Sequence, residues 1–121
     1  DYASKPTKKG LIFMDTPFYT PVSFTGMMSA GSCINLFGMG SFNPSNNPIV
    51  PTLRICSNPN TIKKWKNIID VDLSVYFKKA NVDSAFNKLK EVFFEILNGR
   101  DTLSEKENSG EILIPYKSEL L

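Results

Sequence analysis

Histidine is absent from this chain of 121 residues, which removes the side chain most used as a general base and as a metal ligand. Only two cysteines occur, Cys33 and Cys56, and with no Cys-x-x-Cys pair they do not make a zinc site. They fall in separate predicted strands, where they either bond across a sheet in an oxidising compartment or stay as buried thiols. Arginine is scarce, since lysine outnumbers it twelve to two, leaving few groups for bidentate recognition of phosphates or guanines. No apolar run approaches the roughly 20 residues of a membrane-spanning helix, so no membrane span is expected. The sequence also lacks a glycan acceptor, because Asn43-Pro44-Ser45 is spoiled by its proline; that leans weakly towards an intracellular setting. The opening is Asp1 and a polar, Lys-rich stretch, not a signal peptide, which suggests a processed product or an excised fragment.

What is present fits one domain with a real core, at 41% hydrophobic residues. Its clearest signal lies in the second half. Val71, Leu73, Val75 and Phe77 alternate with polar neighbours, the period of a strand with one buried face. From Val82 the period changes, and Val82, Ala85, Phe86, Leu89, Val92, Phe93, Ile96 and Leu97 line one side of a helix. Asn81 is placed to cap that helix and Gly99 to stop it. Phe94 falls opposite the apolar stripe, as a surface aromatic or a partner contact.

Earlier in the chain, residues 1–10 read as a flexible arm. Leu11–Met14 is expected as a short first strand, followed by Phe18 and Tyr19 held between Pro17 and Pro21. Val22–Met28 and Cys33–Met39 read as strands joined through Ser29-Ala30-Gly31-Ser32, a hairpin signal. Gly38-Met39-Gly40 lacks the rest of a phosphate-binding loop. Ile49–Cys56 reads as a strand entered through Pro51, which suits an edge strand or a strand start, and Thr61–Ile69 as a short helix capped by Asn60. Residues 99–110 read as a flexible linker or loop. Residues 111–121 return to apolar character, as an edge strand or a docking tail. The expected fold is therefore α+β. It has a mainly antiparallel sheet of four to six strands within residues 11–98, with one long and one short helix on one face.

For function, the missing catalytic groups argue against an enzyme, and no cofactor or metal is expected. Asp70 and Asp72 share a strand face, but a solvated face explains them as well as a cation site does. A small hydrolase using them or Cys33 is the weakest reading. The favoured one is a non-enzymatic protein–protein interaction or assembly domain, a subunit or processed fragment docking on other chains or on itself. Phe18, Tyr19, Phe94, Ile112, Ile114 and Tyr116 are its contact residues. Charge supplies the alternative: residues 60–90 carry seven Lys against three Asp, and residues 91–121 three basic against seven acidic side chains. Lys63, Lys64, Trp65, Lys66, Tyr76, Lys78 and Lys79 would then bind nucleic acid without sequence readout, lysines on phosphates and aromatic rings on bases.

Overall fold

A computed structural model describes residues 1–78 and 81–115, without the side chains of residues 77 and 78. Its centre is a three-stranded sheet of β1 (Asn35–Met39), β2 (Thr52–Cys56) and β3 (Val71–Asp72), in that order. Both pairings are parallel, with Asn35 opposite Thr52 and Ile55 opposite Val71. This corrects the expected antiparallel sheet of four to six strands. Parallel strands need long crossovers, and here Gly40–Pro51 joins β1 to β2 while a helical segment joins β2 to β3.

The period of two on β2 splits the core into two layers. Leu53 and Ile55 face α4 (Val82–Leu97), packing with Val71, Val92 and Ile96. Cys56 faces the other way, into a cluster with Met39, Ile62, Ile68 and Ile69. Those isoleucines come from α2 (Pro59–Trp65), from the 3-10 turn Lys66–Ile68 and from Ile69 beside it. A sheet covered on both faces is what parallel pairing demands, so helices on one face alone is a second correction.

Three elements differ from the sequence expectation for local reasons. Val22–Met28 belongs to a helix, α1 (Thr20–Ser29), with Pro21 in its first turn, where a missing N–H costs nothing. The expected hairpin is its C-terminal stop, with Gly31 at φ +97. The alternation from Val71 ends after two residues because Asp72 Oδ1 accepts from the Ser74 N–H (2.8 Å) and hydroxyl (2.7 Å), starting α3 (Ser74–Lys78). Leu11–Met14 forms no strand. The long helix α4 agrees with expectation: Asn81 Oδ1 accepts from Ser84 N at 3.0 Å, and Gly99 sits at φ +95. Residues 99–110 carry one further helical turn, α5 (Leu103–Lys106), closed by a reciprocal Thr102–Glu105 capping box.

Arg54, on the α2 side of β2, is 1% exposed. Its guanidinium donates to Pro44 O (2.8 Å), Ser45 O and Ile68 O, and pairs with Glu107 at 3.7 Å. It thus fixes the Gly40–Pro51 crossover, a coil of backbone carbonyls that no helix satisfies.

Candidate functional site

All three strands point the same way, so their carboxyl ends share one edge, where open parallel sheets gather loops and bind ligands. β1 runs out into Gly40-Ser41-Phe42, β2 into Ser57-Asn58, and β3 into Leu73 and Ser74. Gly40, Ser41, Phe42 and Asn58 are exposed.

The loop after β1 is held at its start by α2, and Asn43 Nδ2 further along donates to Thr20 Oγ1 of α1 at 3.3 Å. Gly40 O accepts from Asn58 Nδ2 at 3.0 Å and from the Thr61 hydroxyl at 2.9 Å. The Asn58 Oδ1 accepts from Asn60 N at 3.0 Å and caps α2. One asparagine therefore ties the ends of β1 and β2 together and starts the covering helix. Phe42 stacks on Trp65 with ring centroids 4.1 Å apart, so α2 also carries the end of the loop. The opposite side is open. A Cβ on Gly38 or Gly40 would meet no atom within 4 Å, and neither residue has positive φ. Neither packing nor backbone strain within these residues calls for glycine there, and the bare backbone leaves room for a molecule to approach the strand end.

The available chemistry at this edge is mostly neutral: backbone N–H groups, the Ser41 and Ser57 hydroxyls and the Asn58 amide. Asp72 is spent on capping α3. Asp70 is further removed and also structural, with Oδ2 accepting from Arg54 N (2.9 Å) and Oδ1 from Leu103 N (2.7 Å). Burial pushes its carboxyl above the usual carboxylate range, against the opposing pull of those two N–H groups and of the Arg54 and Arg100 charges. Neither aspartate is free to hold a cation without giving up a backbone contact. Cys33 is exposed, Cys56 is buried, and both are free thiols.

The residues singled out from sequence do not converge. Phe18 and Tyr19 lie exposed before α1, flanking a cleft with Leu36 and Phe37. Phe94 is on α4, half exposed and edge-on to Phe93 at 5.5 Å. Ile112 and Ile114 are exposed on a strand-free segment that returns towards α1, where Leu113 N donates to Thr25 Oγ1 at 3.1 Å. Lys63, Lys64 and Lys66 are exposed on and just after α2, Trp65 stacks on Phe42, and Tyr76 is half-buried in α3. Lys79, Tyr116 and the Lys78 side chain lie outside the described residues. Ser41, Asn58 and Thr61 were not picked out in the sequence; a Gly-x-Gly at a strand end was their one local signal.

The sequence matches the D-galactarate/altronate dehydratase C-terminal family over residues 1–119. It is 33% identical over 115 residues to the (2R)-sulfolactate sulfo-lyase subunit beta of Chromohalobacter salexigens, covering 94% of this chain and 30% of that protein. It is 26% identical over 117 residues to the altronate dehydratase of Escherichia coli, covering 97% of this chain and 23% of that protein. The chain thus spans less than a third of either relative. These matches overturn the expectation of a non-enzymatic assembly domain, and the nucleic-acid alternative with it, since the relatives are enzymes by name. Missing histidine misled the sequence reading, because a segment of an enzyme need not carry the commonest general base. Among the described residues, no helix is long and apolar enough to cross a membrane.

Proposed function

The chain belongs to the D-galactarate/altronate dehydratase C-terminal family, and from that premise we propose that it forms one wall of the active site of a lyase acting on α-hydroxy carboxylic acids. Galactarate, altronate and sulfolactate share a carboxylate, a hydroxyl on C2 and a leaving group on C3. Loss of the C2 proton and of the C3 group as water or sulfite gives an enol, which becomes a 2-oxo acid. The reaction needs hydrogen-bond donors to the substrate carboxylate and to the charge that develops beside it. The Gly40–Phe42 backbone, Ser41 and Asn58 are donors of that kind, fixed by α2 and open on the far side. The family match over nearly the whole chain carries this reading.

Further protein completes such a site. The chain's small share of its relatives and its exposed apolar side chains both support that arrangement. Phe18 and Ile114 are 110% and 83% exposed, and Tyr19, Phe94 and Ile112 are also open. We assign these residues to contacts with other protein segments of the same enzyme.

The test is release of 2-oxo acid from galactarate, altronate and sulfolactate by the full-length product of the coding sequence. A hydrogen bond to a charged group contributes about 1.5–3 kcal/mol. Ser41→Ala is therefore expected to lower kcat/KM by roughly 10- to 100-fold with an unchanged unfolding midpoint. Full activity in this variant, or no turnover of any of the three acids by the parent, would refute the assignment.

A further inference from the structure

Leu11-Ile12-Phe13-Met14 is an unbroken apolar run outside any helix or strand, and Leu11 and Phe13 are 87% and 86% exposed. Its direction is set by α1. The Met14 methyl lies 2.9 Å from where a Gly26 Cβ would stand. Thr16 Oγ1 is 3.0 Å from Ser23 Oγ, and Ile12 and Phe13 line a cleft with Met27 and Gly31. Rising residue numbers in the run thus meet falling numbers in α1, and the two are antiparallel. The chain reverses again at Gly31, and Phe24 packs edge-on against Phe37 at 5.2 Å, so α1 is antiparallel to β1 as well. The run and β1 therefore point the same way, on either side of one helix in sequence, the arrangement of a strand–helix–strand unit.

The free edge of β1 has room for it. β2 holds one edge, and among the described residues no strand pairs with the other. A cleft of about 360 Å³ is lined by Thr16, Pro17 and Phe18, which follow the run, by Phe24 of α1 and by Leu36 and Phe37 of β1. Parallel strands end at a common edge, and Asp15 follows the run as Gly40 follows β1. Asp15 is exposed and, among the described residues, makes no hydrogen bond or ion pair, unlike Asp70 and Asp72.

We propose that in the full-length enzyme Leu11–Met14 pairs in parallel with β1, and that this brings Asp15 beside Gly40 and Ser41 as the catalytic carboxylate. It rests on the α-hydroxy acid reading above. The Asp15 carboxylate takes the C2 proton, and the electron pair of that C–H bond becomes the C2–C3 double bond. The C3 substituent departs with its bonding pair, as sulfite or as hydroxide protonated by solvent. The enol takes up a proton at C3 from solvent as its hydroxyl proton passes to solvent, which gives the 2-oxo acid, and Asp15 returns its proton to solvent.

Two readouts on the full-length protein test this. Asp15→Asn keeps the side-chain shape, and loss of a general base is expected to lower kcat by roughly 100-fold or more while KM and the unfolding midpoint hold. Amides of Ile12–Met14 are expected to exchange with deuterium as slowly as those of Leu36–Gly38. Wild-type turnover retained by Asp15→Asn overturns the inference, and so does fast exchange at Ile12–Met14, whether or not the enzyme is active. A parent protein that turns over none of the acids strikes the lyase reading instead; slow exchange at Ile12–Met14 then still supports the pairing.

Discussion

Asp70 joins three parts of the chain through one carboxylate, since its two oxygens hold the backbone of β2 and the start of α5 while its own backbone leads into β3. Its raised pKa follows from burial outweighing two N–H donors and two arginine charges. A carboxyl with a raised folded pKa binds its proton more tightly in the folded state. Its contribution to stability is therefore greatest below the unfolded value and is lost as pH rises through the folded value. We predict that the stability advantage of the parent over Asp70→Asn shrinks as pH rises through and above the ordinary carboxylate range, measured by urea unfolding. An advantage that grows over that range would contradict this account. In sequence, Asp70 read as half of an exposed carboxylate pair, because its partner Leu103 lies 33 residues away and no local pattern encodes that contact. Arg54 was hidden for the same reason: a charged residue in a five-residue strand gives no sign that it is buried.

Helices α1 and α4 show when periodicity is legible. α4 is open along one side and buries Val92 and Ile96 on the other, so its sequence carries a stripe and a cap that can be read directly. α1 buries Pro21, Val22, Phe24, Thr25 and Gly26 on more than one face, so no stripe survives and its β-branched residues imitate a strand. Pro51 stands just before β2, where a strand start was one of its two readings, and leaves the central strand's ladder whole; its carbonyl accepts from Asn35 N at 2.8 Å. The site was legible only in part. The ends of β1 and β2 were near their expected positions, but their shared edge depends on parallel pairing, which strand patterns alone do not fix. Gly26 tests the packing around α1. Glycine-to-alanine in a helix normally stabilises by about 0.5–1 kcal/mol, yet here the new Cβ would meet the Tyr2 ring at 2.5 Å and the Met14 methyl at 2.9 Å. Overpacking costs about 1–3 kcal/mol, so Gly26→Ala is predicted to lower the unfolding midpoint. A raised midpoint would show that the N-terminal segment does not rest on α1.

The sheet is small and covered on both faces, and its polar loops lie at one edge while apolar side chains stay open elsewhere. Bare glycine backbone at Gly38 and Gly40 and exposed side chains such as Phe18 and Phe94 are two signs of one arrangement. The first leaves backbone uncovered at the strand end, and the second leaves apolar surface uncovered. Under the proposed function, the shared edge is where a chain with no histidine would hold the acid. The most direct measurement is the crystal structure of the full-length protein with an unreactive α-hydroxy acid bound. The account predicts the ligand carboxylate within about 3.2 Å of donors in Gly40–Phe42 or of Asn58. An acid bound with no contact to those residues, in a site built entirely from other segments, would contradict it.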